Sequence, residues 1–374
     1  MRVLYLVASG DIVGGIETNL LTVLDHASKY DLDVAGVLLP SEGKLADMIR
    51  QRHVPVGLVE YYGWRLTSPW RYVQTYCQLI VWIHRMKPDI IHCTHQWLVE
   101  YAWGLKKLLA KKPIICDLAN LEDKTFIQER ERFFACLDCT IVRSQAIADN
   151  LIEHATRPIT TVLISNGIEV EKFSKVHEKP KIRQELNLAS EVRLVGFVGR
   201  LVYWKGVEDL LAAWPHVLSE YPSAHLIIVG EDEEDNRYRH FLEMQTVELE
   251  IASVISFLGF RKNVAEVLAE LELFVLPSHN EPFGIVTVEA MAAGCVVVAT
   301  DGGGTPEIVT HGETGFLVPV AEPLALAKAI LMALALPVEQ ANAIRNAAQR
   351  TAQELFGIEQ QIRNQMSLYE AVVK

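Results

Sequence analysis

Short apolar runs rich in β-branched residues alternate with longer stretches of helical spacing along most of the chain. Residues 3–7, 34–39, 90–93, 114–116, 139–142 and 161–164 read as strands, and 17–29, 70–86 and 98–109 between them read as helices. The strands are apolar throughout rather than on alternate positions. That pattern belongs to a parallel sheet covered by helices on both faces. The alternation pauses over the polar stretch 169–187, which holds Lys172, Lys175, Lys179, Pro180 and Lys181. It resumes at 194–198 and continues through 226–229, 254–258, 274–276, 296–299 and 316–318. The expectation is an α/β protein of two doubly wound domains, with ligands at the carboxyl ends of the strands in a cleft between them. Residues 1–175 form the first domain and 176–355 the second. The last stretch, 356–374, carries Ile362, Met366, Leu368 and Tyr369 on or near one helical face and is expected to return to the first domain.

The length of 374 residues supports this division, because one hydrophobic core rarely serves so long a chain. The net charge of −12 is unevenly placed: residues 1–178 hold 20 Lys/Arg against 21 Asp/Glu, leaving 15 against 26 for the rest. An acidic chain is a poor nucleic-acid binder, since that binding draws on many cations set against phosphates. Residues 51–112 run the other way, with nine Lys/Arg and three acids. The six cysteines sit mostly in apolar surroundings, and Cys136 and Cys139 lack a second pair at zinc-binding spacing. Buried or half-buried free thiols in a reducing cytoplasm are expected. The apolar start, residues 3–8, is too short for a signal peptide and reads as a first strand of a soluble protein.

Four segments carry candidate chemistry, and each follows a strand or opens a helix. In Ser278-His279-Asn280-Glu281-Pro282-Phe283-Gly284 a polar loop leads into a helix that Gly294 should close. The free N–H groups at that helix start suit an anion such as a diphosphate, and Glu281 and Glu289 are acceptors for sugar or ribose hydroxyls. In Gly199-Arg200-Leu201-Val202-Tyr203-Trp204-Lys205-Gly206 two cations stand at a strand end inside the acidic half. Gly14-Gly15-Ile16-Glu17 opens the first helix but lacks dinucleotide-fingerprint spacing. Asp301-Gly302-Gly303-Gly304-Thr305-Pro306-Glu307 is a glycine-rich loop after another strand. His92 and His95 make a poor metal pair, because strand residues three apart face opposite ways.

Taken together, these segments resemble the retaining glycosyltransferases of family four, which have the GT-B fold of two Rossmann-like domains. That family shows G-G-x-E, N-G-I/V-D/E, G-R-L-x-x-x-K-G, an E-x₇-E segment and P-E-I/V-x-x-x-G-x-T-G-x-L-V. All five occur here in order, at 14–17, 166–169, 199–206, 281–292 and 306–318. The resemblance implies transfer of a hexosyl or N-acetylhexosaminyl group from a nucleotide-diphosphate sugar, with UDP-sugars favoured and no metal or other cofactor. Glu281, Arg200 and Lys205 would be the catalytic set, the two cations holding the diphosphate and Glu281 the sugar near its reacting centre. Glu289 would hold the ribose, and Gly15, Phe283, Gly284, Ile285, Val286 and Arg261 would line the donor, with the base near 258–262. The departing diphosphate would help deprotonate the acceptor on the same face. Retention then needs no protein nucleophile, and Glu281 is the candidate if one exists.

One departure stands out. Many members carry T-x-H where this chain reads Cys116-Asp117-Leu118-Ala119-Asn120. That leaves the donor sugar open and makes Asp117, Asn120, His95 and Glu17 the candidates for contact with sugar or acceptor. The acceptor, a glycan, glycoside or lipid-linked molecule, is assigned to the first domain. There Tyr61, Tyr62, Trp64, Arg65, Trp70, Arg71 and Tyr72 accompany Lys106, Lys107, Lys111 and Lys112. Such a mixture suits a membrane interface, and equally an aromatic core beside a solvated lysine face. Two other readings are a GT-B-like binding or regulatory protein without catalysis and a nucleotide-sugar epimerase or synthase on the same architecture.

Overall fold

The computed structural model describes residues 1–12, 14–61, 69–174, 182–232 and 236–374. It divides into two compact units, Met1–Gly167 with Ile358–Lys374, and Ile168–Gly357. The division falls at Gly167 rather than at 175, and the last segment begins at 358 rather than 356. Ile168 already belongs to the second core: its N–H donates to the Phe356 carbonyl at 2.9 Å, and Ile168 and Val170 are buried there. Of the polar stretch, Lys175, Lys179, Pro180 and Lys181 lie outside the described residues.

In the first unit β1 (Arg2–Leu6), α1 (Gly15–His26), β2 (Asp33–Leu39), α2 (Lys44–Gln51), β3 (Val56–Leu58), α3 (Pro69–Met86) and β4 (Ile90–Cys93) follow in order. Then come α4 (Val99–Leu108), β5 (Ile114–Leu118), α5 (Lys124–Phe134), β6 (Cys139–Val142), α6 (Gln145–His154) and β7 (Thr161–Leu163). The seven strands are parallel, in the order β3-β2-β1-β4-β5-β6-β7. Strands β4, β5 and β6 are buried end to end, as a sheet covered on both faces requires. The residue pattern does not single out β3, a three-residue edge strand with Gly57 at its centre.

The second unit runs α7 (Val170–Ser174), α8 (Ile182–Glu185), β8 (Leu194–Val198), α9 (Val207–Glu220), β9 (His225–Val229), α10 (Arg237–Glu248) and β10 (Ile255–Gly259). It continues α11 (Val264–Leu268), β11 (Leu273–Leu276), α12 (Ile285–Ala293), β12 (Val296–Thr300), β13 (Phe316–Val318), α13 (Pro323–Leu334) and α14 (Val338–Leu355). Its six parallel strands take the order β10-β9-β8-β11-β12-β13. α15 (Ile358–Val373) belongs to the first unit and buries Ile358, Ile362, Leu368 and Tyr369 in its core.

Both sheets reverse strand order beside their first strand, β1 against β4 and β8 against β11. The crevice beyond such a reversal is where open parallel sheets bind ligands, because helices leave the two strands on opposite faces. In the second unit, residues 199–206 follow β8 and 277–284 follow β11. Cys93, Cys116, Cys139 and Cys295 are buried free thiols, but Cys77 on α3 and Cys136 after α5 are exposed, against the expectation of burial.

Candidate functional site

The turn after β8 ends in a 3-10 segment, Tyr203–Lys205, closed by Gly206 at φ +65°. A Cβ on Gly206 would fall 2.1 Å from the Pro277 carbonyl oxygen, so only glycine lets this turn lie against the end of β11. Lys205, 7% exposed, thereby reaches the Glu281 carboxylate at 2.6 Å, which also accepts from Ser278 Oγ at 2.9 Å. Its ammonium stands 4.5 Å from the centre of the Trp204 ring. The glycine-rich loop after β12 closes the other side. Gly304 N–H donates to the Glu281 carbonyl at 2.7 Å, and Gly303, at φ +65°, leaves 2.1 Å between a would-be Cβ and that same oxygen. Thr300 Oγ donates to the Ser278 carbonyl. Segments after three different strands thus converge on Glu281.

α12 begins just beyond, with Gly284 as its cap in the left-handed region at φ +96° and Gly294 closing it at φ +80°. The first N–H groups of a helix have no acceptor within it, and its dipole adds partial positive charge there. Phe283 and Val286 are buried, while Ile285 is half-buried. Glu289, in the second turn, is half-buried, and burial raises its carboxyl to about 8. Arg200 is exposed near the Trp204 ring, 5.8 Å from its centre. Arg261 pairs with Glu185 of the short helix α8. The structure thus brings Lys205, Glu281 and the start of α12 together and ties Arg261 to α8.

Ser278 and Asp209 escape the motif reading, although both shape this site. His279 Nε2 lies 2.7 Å from Asp209 Oδ2, its backbone N–H donates to the Trp204 carbonyl at 2.8 Å, and its ring meets Tyr203 edge-on at 5.5 Å. No periodicity marks Ser278 in its loop or singles out Asp209 in the first turn of α9.

In the first unit, Glu17 is buried and accepts from the Gly14 N–H at 3.0 Å, capping α1, while Gly15 is exposed. Asp117 lies inside β5, not in the loop beyond it, and is 2% exposed. It pairs with Arg143 and with His92 Nε2 at 2.8 Å. Burial pushes its carboxyl up, but Arg143 and His92 outweigh this and hold it below the usual range. His92 Nδ1 is 2.6 Å from the Tyr369 hydroxyl, which is 3.3 Å from the Tyr5 hydroxyl. Tyr5, His92, Asp117 and Arg143 line a small cavity with Asn19, Thr94 and Asn166. His95 caps a 3-10 turn by accepting from Trp97 N–H at 3.2 Å, and burial lowers it to about 4. Asn120 is half-buried in the next loop.

The aromatic, basic region separates into parts with different roles. Tyr61, Tyr72, Tyr76 and Tyr101 pack ring against ring, 5.1–5.8 Å between centres. Lys106 pairs with Asp138 at 2.7 Å and Lys112 donates to the Pro88 carbonyl, so these two lysines serve internal contacts. Trp70, Arg71, Lys107 and Lys111 are exposed. Tyr62, Gly63, Trp64 and Arg65 lie outside the described residues. Among the described residues no single helix is long and apolar enough to cross a membrane, and no group of three or more His, Cys, Asp or Glu is placed to share a metal ion.

Residues 178–351 match the model for glycosyl transferases group 1, and residues 13–172 match that for Glycosyltransferase Family 4. An uncharacterized glycosyltransferase of Methanocaldococcus jannaschii is 30% identical over 258 residues, 64% of this chain and 65% of that protein. A D-inositol 3-phosphate glycosyltransferase of Corynebacterium glutamicum is 27% identical over 361 residues, 85% of this chain and 82% of its own. The crystal structure of Anabaena HepE in complex with UDP and glucose superposes with a TM-score of 0.84 at 27% identity, covering 98% of this chain and 99% of HepE.

Proposed function

The chain belongs to the GT-B glycosyltransferases, and on that premise we propose that it moves a hexosyl or N-acetylhexosaminyl group from a nucleotide-diphosphate sugar to a hydroxyl acceptor, with retention and without a metal ion. The observation that carries the reading is the buried Lys205–Glu281 pair beside the start of α12, at the strand-order reversal of the second sheet. A departing diphosphate needs positive charge already in place. Lys205, Arg200 and the α12 terminus supply it from protein groups. Glu281 then faces the sugar, and Glu289 takes the ribose hydroxyls. The deprotonation of the acceptor falls to the departing diphosphate on the same face, so the sugar keeps its configuration without a covalent intermediate. UDP is the favoured nucleotide, since HepE, alike over nearly its whole length, was crystallised with UDP and glucose.

We assign the acceptor, a glycan, glycoside or lipid-linked molecule, to the first unit, and the protein to the cytoplasm, with the exposed Trp70–Arg71 end of α3 as its contact with a membrane surface. A mass-spectrometric screen of UDP-, GDP- and ADP-sugars against pooled acceptors, free and on anionic vesicles at low salt, tests the donor, the acceptor class and the membrane contact. Transfer should appear with the wild type and fall by on the order of 100-fold or more in Lys205→Ala and Glu281→Ala. Equal activity of all three proteins would overturn the site assignment. No gain on vesicles would remove the membrane contact alone, and inversion of the anomeric centre, read by NMR of the isolated product, would remove retention.

A further inference from the structure

Besides the Lys205–Glu281 pair, the turn that carries Lys205 is fastened to the loop after β11 by His279. Its backbone N–H holds the Trp204 carbonyl at 2.8 Å, immediately before Lys205. Its ring closes over Gly206, where a Cβ would come within 3.2 Å of His279 Cδ2. Nε2 reaches Asp209 Oδ2 at 2.7 Å, in the first turn of α9, and the Tyr203 ring stands edge-on to the His279 ring at 5.5 Å. The 3-10 segment Tyr203–Lys205 is therefore held at its middle residue by a backbone bond, and the start of α9 just after it by a side-chain bond, both from His279.

A lysine on a four-carbon stem is a flexible point charge, and the arrangement of its backbone decides where that charge can stand. Lys205 has to serve the diphosphate from a position only 7% exposed, so an error in the turn cannot be absorbed by a swing through solvent. We propose that His279, oriented by Asp209, is a positioning residue that sets the Lys205 turn for diphosphate binding and departure. The inference rests on the donor-site reading above and deepens it. Asp209 accepts a hydrogen bond from Nε2–H, which fixes the ring tautomer and its plane. The pair acts on the reaction through Lys205, without touching the sugar itself.

The test measures UDP affinity by calorimetry and the steady-state constants for the active donor found in the screen, in full-length protein. The proteins are wild type, Lys205→Ala, His279→Ala, His279→Gln, Asp209→Asn, and the His279→Ala/Asp209→Asn double variant. His279→Ala and Asp209→Asn should each lower kcat by about 10- to 100-fold with a smaller rise in KM, as a displaced catalytic group does. Gln places an amide nitrogen near the Nε2 position and should restore most of the loss. The double variant should be no worse than His279→Ala, because the two residues act as one unit. Unchanged kcat in His279→Ala, or losses that simply multiply in the double variant, would overturn the inference while Lys205→Ala remains impaired. If Lys205→Ala binds UDP and turns over like wild type, the donor-site reading itself fails, and this inference with it. Should His279→Ala prove poorly folded by its melting curve, the comparison of His279→Gln with Asp209→Asn decides: full activity in both overturns the assignment, and loss in Asp209→Asn alone supports it.

Discussion

Lys205 and Glu281 have side chains 9% and 7% exposed, which places a full ion pair almost out of water before any ligand arrives. Such a pair adds little net stability, because desolvation offsets the attraction, but removing one partner strands a buried charge. Lys205→Met or Glu281→Met alone should therefore cost about 3–5 kcal/mol of unfolding free energy, and the double replacement markedly less than the sum. Urea denaturation without nucleotide checks this, and strictly additive losses would show that the two groups do not form one unit. The motif spacing makes Lys205, Glu281 and Glu289 legible as candidates in the sequence. Their partners are not legible. Asp209 and His279 stand 70 positions apart and meet only because β8 and β11 are neighbours in the sheet. Arg143 reads as an ordinary cation after an apolar strand, and its pairing with Asp117 depends on β5 and β6 lying side by side.

At the level of elements, the loop after β11 is shaped by glycines on both flanks as well as by its own side-chain contacts. Gly303 leaves its backbone against the Glu281 carbonyl at a distance no Cβ allows, and its φ of +65° disfavours any other residue. Gly303→Ala should thus cost about 1–3 kcal/mol through strain and displace Glu281, lowering activity more than stability. Thermal melting alongside donor turnover would check it, and a variant with normal turnover would mean that the loop yields without moving Glu281. The strands of the second unit are readable in advance because their runs are apolar and bounded by polar turns. β3 escapes because Val56-Gly57-Leu58 is short, has glycine at its centre, and buries only that glycine. It earns its place as a strand from its neighbour: Gly57 packs where a Cβ would meet Leu38 at 2.6 Å and Trp82 at 2.7 Å.

At the scale of the whole molecule, burial holds Glu289 in the second unit and His95 in the first on the uncharged side of their equilibria, and the two act on stability in opposite senses. Burial raises Glu289 from 4.5 to about 8, so between those values the folded second unit keeps a proton that the unfolded chain has released. Stability contributed by Glu289 is full below pH 4.5 and declines as pH rises through 8. Burial lowers His95 from 6.5 to about 4, so between these values the unfolded chain binds a proton that the folded first unit refuses. Stability contributed there is full above pH 6.5 and is lost as pH falls through 4. Glu289→Gln should accordingly gain on the wild type by on the order of 1–2 kcal/mol from pH 5 to pH 8, allowing for the partial exposure of the side chain. His95→Gln should gain on it by a similar amount from pH 7 down to pH 4.5 and show no trend above. Urea titrations of the three proteins across pH 4.5–8 provide the check. A pH-independent difference between Glu289→Gln and wild type would mean that Glu289 is solvated and ionised in the unliganded protein, and its part in holding ribose would then begin from a charged carboxylate.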